Sequence, residues 1–258
     1  SGENGVYKKW VWGGGISGAT TLTELTKVPA NIPSVHYNGY YLAALLLGAK
    51  LTGDARYFEV GVKGISSIMA AYPFTAREHS ETQELCRLIL PLAMLYWVSG
   101  DATHREWLYK VTRDLQRFRH PKGGYIEWDT GYTATCAGNR DGESSVLAEN
   151  GNPVLDLLYS LNWLPHSFAL AYYVTGDNWF KQLWEEITEF LASIQIRSEN
   201  QFIDGVWPRA FDADLREVYG VPNDVGWAPW SVETGWTMGE IMSGMLLGML
   251  ESKVKAMF

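Results

Sequence analysis

The chain has 258 residues, 47% of them hydrophobic, which is enough for one large domain or two small ones around a real core and excludes a disordered protein. Its formal net charge of -8 leaves no basic face for contact with phosphates, so nucleic acid is not an expected partner. Cys86 and Cys136 are too few for a disulfide scaffold, and neither has the paired spacing with histidine that would hold zinc.

The first 33 residues, with "WGGGISG" and two prolines, read as an irregular segment. The Ser1-Gly2 start reads as a cleavage scar or a processed chain, so the natural N-terminus is not in view. From residue 34 to 258 one pattern organises the chain. "LAALLLGAKLTGDARYFEVGVKGI", "LPLAMLYWVSGDATHREWLYKVTRDL" and "FALAYYVTGDNWFKQLWEEITEFL" each run from an apolar stretch through Thr or Ser to Gly-Asp and on into an amphipathic segment. Each predicts a helical hairpin. Gly53, Gly100 and Gly176 supply the left-handed residue that ends the first helix, and Asp54, Asp101 and Asp177 cap the second.

The two arms of a hairpin differ. First arms such as "YYLAALLLGA" and "LILPLAMLYWV" are apolar nearly all round, whereas Phe180, Leu183, Trp184, Ile187, Leu191 and Ile194 form a stripe opposite Lys181, Glu185, Glu186 and Glu189. Buried first arms and outward second arms predict an all-α chain: an α/α toroid with inner and outer rings of helices and short β-like returns in the loops. Residues 231 to 256 read as one more inner helix, with Gly235, Gly239, Gly244 and Gly248 admitting close neighbours. The same stretch carries Glu233 and Glu240, which argues against a membrane span. Seven helices are an odd number for paired rings, so the toroid is expected to be partial, or completed by further sequence of a larger protein.

If the Gly-Asp turns share one end, the starts of inner helices gather at the other. That end collects "SVHYNGYY", "REHSETQE", "GGYIEWDTGY", "NRDGESS", "ENGNPVLD", "DGVWPRAFDAD" and "GVPNDVGWAPWSVETGWTMGEI". The last of these sets Trp227, Trp230 and Trp236 among Asp224 and Glu233. Indole faces beside carboxylates suit carbohydrate, since sugar C–H faces stack on rings while hydroxyls need hydrogen-bond partners. The expected sugar contacts are His36, Tyr37, Trp128, Trp207, Arg209, Trp227, Trp230 and Trp236. Glycoside hydrolysis needs one protonated and one ionised carboxyl. Glu127 and Asp129, which flank Trp128 and alternate to one side of an extended segment, are the first candidates, with Asp224 and Glu233 the second pair. Asp141, Glu143, Asp156 and Asp212 stand behind them, and other acids serve as caps or as partners of Arg140, Arg209 and Arg216.

The Gly-Asp hairpins, together with the returns "GGYIEWD" and "DGVWPRAFD" after outer helices, resemble the six-hairpin glycosidase superfamily over most of residues 34 to 256. The resemblance implies an α/α toroid with a glycan site at the loop-rich end, often with acidic catalysts. The leading expectation is a glycoside hydrolase that needs neither metal nor cofactor and takes an oligosaccharide or polysaccharide. A polysaccharide lyase or uronate epimerase is the second reading, with His36, Tyr37, Asn38, Tyr40 and Tyr41 as acid, base and charge neutraliser and Arg209 for a uronate. The third is a non-catalytic toroid that holds glycan or packs against another domain of the same full-length protein. There is no DDxxD or DxDD run for prenyl diphosphate chemistry and no P-loop.

Overall fold

The computed structural model describes residues 33–75, 80–128, 154–220, 232 and 236–258, without the side chains of residues 37 and 236. The chain forms two compact units, residues 1–78 with 90–109 and residues 79–89 with 110–258.

In the first unit, α1 (Val35–Thr52) packs against α2 (Ala55–Ala71). Leu42, Leu46 and Ala49 are buried on α1, and Gly61, Ile65 and Ile68 on α2. The unit also holds the C-terminal half of α3 (Glu81–Ser99) and the start of α4 (Ala102–Gln116). Residues Leu90 to Leu95 of α3 are all buried.

The turn between paired helices is built the same way three times. Gly53, Gly100 and Gly176 take φ of 73°, 63° and 67°, the left-handed region that costs a side chain dearly and glycine nothing. Each donates its N–H to the carbonyl four residues back, closing the helix on Ala49, Tyr96 and Tyr172. The hydroxyl before each glycine, on Thr52, Ser99 or Thr175, accepts the N–H of the following aspartate at 3.2 Å. Each aspartate then accepts the N–H two residues on, from Arg56, Thr103 and Trp179. Every part of the Thr/Ser-Gly-Asp triplet therefore has a backbone group to satisfy.

In the second unit, β1 (Val154–Asp156) leads through a single 3₁₀ turn (Leu161–Trp163) into α5 (Leu164–Thr175) and α6 (Asn178–Ser193). Then come β2 (Ala210–Asp212), β3 (Glu217–Tyr219), α7 (Trp236–Met249) and the short α8 (Glu251–Val254). The strands form one antiparallel sheet in the order β1-β2-β3, with Leu155 opposite Phe211 and Phe211 opposite Val218. Helix α5 packs against both α6 and α7. It is buried from Leu164 to Tyr173 except at His166, whereas α6 buries Phe180, Leu183, Ile187, Phe190 and Leu191 and turns its glutamates outward. Gly244 and Gly248 of α7 lie against the Pro165–His166 backbone and the Trp184 ring, where no side chain would fit; Gly239 faces open space.

Burial departs from the expectation at two first arms. Leu47 and Leu51 of α1 are 37% and 74% exposed, and Met242, Leu246 and Met249 of α7 are 50%, 51% and 71% exposed. An all-round apolar helix is enclosed only where helices flank it on both sides, as α5 is, and burial follows those neighbours rather than composition.

Candidate functional site

The chemistry of the second unit gathers where α3, α5 and α7 begin. Two adjacent glycines set up its first element. Gly123 and Gly124 have φ of 104° and 75°, and a Cβ on Gly124 would lie 2.1 Å from Leu155. This tight reversal returns the chain alongside its own path, with the N–H of Ile126 donating to Phe118 O and that of Glu127 to Val154 O, at 2.9 and 2.7 Å. Glu127 is thereby carried to the end of β1, and Trp128 is left beside the start of α3.

That start is capped from both chain directions. The Trp128 carbonyl accepts from the N–H groups of Glu81 and Thr82, and the Ser80 hydroxyl accepts from Gln83 at 2.9 Å. The same Ser80 hydroxyl donates to the Glu127 carboxyl. One turn further along α3, Glu84 and Arg87 are 4% and 6% exposed. Arg87 donates through Nε to Tyr159 O at 3.2 Å, and its guanidinium lies 5.4 and 5.0 Å from the Tyr159 and Trp163 ring centres. Arg209 sits 5.1 Å from the centre of the same Tyr159 ring and pairs with Asp156 through Nη1. The Asp156 Oδ1 also accepts the N–H groups of Leu158 and Tyr159, both at 2.8 Å.

Burial raises the Glu127 carboxyl from its ordinary 4.5 to about 8; the neighbouring charge of Asp156 adds to the rise, while the Ser160 and Ser80 hydroxyls and Arg209 oppose it. Glu127 thus holds its proton at neutral pH. Glu240, one turn into α7, is half-buried and also raised, by loss of water, with Arg87 pulling the other way. Asn162, on the 3₁₀ turn against which α7 packs, is fully buried with no hydrogen-bond partner for either amide atom among the described residues; the hydroxyl of Thr237, in the first turn of α7, is buried and equally unmet. Burial likewise pushes the Cys86 thiol well up, so it offers no thiolate. Among the described residues no group of three His, Cys, Asp or Glu side chains is placed to hold a metal ion, and no helix is long and apolar enough to cross a membrane.

Two of the expected sugar contacts are buried. Trp207 is 2% exposed and donates its indole N–H to Leu191 O at 2.8 Å, so its ring packs under α6 rather than offering a face. Arg209 is fully buried and paired with Asp156. Trp128 is half-buried, and His36 is half-buried on α1 in the first unit. Asp129, Asp224, Glu233, Trp227 and Trp230 lie outside the described residues, as do the side chains of Tyr37 and Trp236.

Sequence reasoning singled out Glu127 but passed over Ser80, Glu84, Arg87, Asn162 and Thr237. One signal was available: Glu84 and Arg87 interrupt the apolar run "LCRLILPLAML" and its approach, and a charge on a buried helix needs a partner. Asn162 and Thr237 carry no such mark.

No protein-family model matches the chain, and no curated protein matches it in sequence. Solved structures do match. The α-1,6-mannanase GH76A of Salegentibacter sp. HEL1_6 aligns over 90% of this chain and 59% of its own, with a TM-score of 0.61 and 13% identity. Its inactive double-aspartate variant, bound to α-1,6-mannotetrose, aligns over 99% of this chain and 61% of its own, with a TM-score of 0.62 and 12% identity. A sugar epimerase from a ruminal bacterium aligns over 90% and 59%, with a TM-score of 0.58 and 12% identity. The chain therefore spans about three fifths of the length of these structures. The two aspartates replaced in the inactive mannanase are adjacent, and this sequence contains no Asp-Asp pair. What the likeness establishes is architecture alone: the chain has the α/α-toroid fold of these structures.

Proposed function

We propose that the protein is carbohydrate-active and acts as a glycoside hydrolase, with Glu127 as the acid that protonates the leaving oxygen. The observation that carries this reading is a buried carboxyl that keeps its proton to about pH 8 beside the Asp156–Arg209 ion pair, at the end of the unit where three helices begin. The mannanase bound to mannotetrose on the same fold supports a glycan as the ligand. Asp156 is committed to Arg209 and to two backbone N–H groups, so it holds the site together rather than attacking. The second carboxylate is proposed among Asp129, Asp224 and Glu233, and Trp128, Trp227, Trp230 and Trp236 are proposed stacking contacts. His36 and Tyr37 are proposed sugar contacts on the sequence pattern alone.

In the reaction, Glu127 gives its proton to the glycosidic oxygen as the bond to the anomeric carbon breaks. Water, or the second carboxylate followed by water, takes the vacated position, and the water's proton returns the acid pair to its starting state. The test is to incubate the protein and Glu127→Gln with a panel of oligosaccharides that includes α-1,6-mannooligosaccharides. New reducing ends from the native protein, and a loss of roughly a hundredfold or more in the variant with binding retained, are expected. Binding with no cleavage in either form would leave a glycan-holding domain. Conversion of the reducing-end sugar without cleavage would make it an epimerase.

A further inference from the structure

We propose that Asn162, Thr237 and Glu240 bind hydroxyl groups of an uncharged sugar, and that this end of the unit rejects uronates. The inference rests on the carbohydrate reading and narrows it to a substrate class.

The starting point is polar groups that folding leaves unmet. Native proteins partner nearly all buried polar atoms, and an exception calls for a ligand or some other function. Asn162 is fully buried with both its amide nitrogen and its carbonyl oxygen unmet, and the Thr237 hydroxyl is in the same state. They are on elements packed together, the Leu161–Trp163 turn and the start of α7. Glu240 follows Thr237 by one turn, is half-buried, and makes no hydrogen bond or ion pair through its carboxyl among the described residues. It is within charge range of Arg87, whose guanidinium covers the Trp163 ring next to Asn162. An amide that donates and accepts, a hydroxyl that does both and a carboxylate that accepts match vicinal sugar hydroxyls, each of which donates and accepts.

The charge of the ligand follows from what surrounds these groups. Both guanidiniums are already committed: Arg209 to Asp156, and Arg87 to the Tyr159 carbonyl and the field of Glu240, with Glu84 buried on the same helix. Among the described residues Asp156 and Glu240 already face these two cations, and Glu127 adds a further carboxylate if it loses its proton. Among the described residues an incoming carboxylate would find no uncommitted cation to receive it and would meet the charge of Asp156 and Glu240. A neutral sugar gives up no such energy on entry.

The experiment compares binding of neutral trisaccharides, α-1,6-mannotriose and cellotriose, with that of trigalacturonate by calorimetric titration of the native protein and of Asn162→Ala, Thr237→Val and Glu240→Gln. The native protein should bind a neutral trisaccharide at least roughly tenfold tighter than trigalacturonate, and Asn162→Ala and Thr237→Val should each weaken that binding roughly tenfold. Thr237→Val keeps the volume and removes an unmet hydroxyl, so its melting temperature should rise while its binding falls; a merely structural threonine would lose stability instead. Glu240→Gln should narrow the preference against trigalacturonate. Tighter binding of trigalacturonate, or unchanged binding by both Asn162→Ala and Thr237→Val, overturns the proposal and leaves the carbohydrate reading standing. Binding of none of the three probes by the native protein removes the carbohydrate reading and this inference with it.

Discussion

Two clusters in the second unit set a glutamate near hydroxyl and basic side chains, with opposite results. At the surface, Glu251 accepts from the Tyr172 hydroxyl at 2.6 Å, from Lys181 at 2.9 Å and from Lys255 at 3.2 Å, and the Lys255 ammonium lies 4.1 Å from the Tyr172 ring centre. The Tyr172 hydrogen bond and then the one from Lys181 pull its carboxyl down to about 2. In the interior, Glu127 has Arg209 nearby and the Ser80 hydroxyl in contact, and is still pushed up to about 8, because water is gone and Asp156 has taken the cation. Donors decide the proton where solvent remains; desolvation decides it where solvent has left. The surface cluster is satisfied throughout and ties α8 to α5 and α6. The buried one keeps a proton and leaves Asn162 and Thr237 unmet nearby, which is the usual condition of a site shaped for something other than stability.

The largest effect on this comparison is expected at Arg209. Arg209→Met would strand the Asp156 carboxylate in the interior, and chemical denaturation should show a loss of about 3–5 kcal/mol. A loss under about 1 kcal/mol would mean that the ion pair is not what holds β1 and β2 to the 3₁₀ turn.

Glu127→Gln sharpens it. The folded carboxyl titrates near 8 and the unfolded one near 4.5, so the unfolded chain gives up its proton first. Native stability therefore falls as pH rises from about 4.5 to about 8 and is level beyond. Glutamine mimics the neutral acid, so the variant should lack this decline and exceed the native protein at pH 8 by on the order of 1 to 4 kcal/mol, read from denaturation midpoints at pH 5 and pH 8. An identical pH profile for the two proteins would place the proton elsewhere.

Glu251→Gln should have the smallest effect, about 0.2–1 kcal/mol near neutral pH and less in high salt, since the group is well solvated. Here the sign is reversed. The depressed carboxyl contributes stability above about 4.5 that is lost as pH falls toward about 2, so native and variant proteins should converge in acid. A salt-insensitive loss of several kcal/mol would show that α8 depends on this cluster as much as the interior depends on Arg209.

The architecture was legible because its signals are local. A left-handed glycine, a hydroxyl before it and an aspartate after it act over a few residues, and the structure repeats the same hydrogen bonds at residues 52–54, 99–101 and 175–177. The stripe of α6 likewise states its own buried face. Glu127 was legible in part, since acids flanking a tryptophan in a return segment mark a site, yet nothing in "YIEWD" tells that its carboxyl would meet Ser80, 47 residues earlier. Trp207 was ambiguous in the sequence because an indole in a loop is equally suited to a sugar and to a core, and its burial and its bond to Leu191 O depend on tertiary packing.

The sequence by itself determined the helical hairpins, their turns and the amphipathic second arms, because helix period and capping are interactions within a few residues of one another. Tertiary structure alone decided which apolar arms are enclosed, that Arg209 serves Asp156, and that Asn162 and Thr237 are left without partners on packed elements. Those outcomes depend on groups 50 or more residues apart entering the same dry volume, where loss of water sets both the proton on Glu127 and the worth of every hydrogen bond around it.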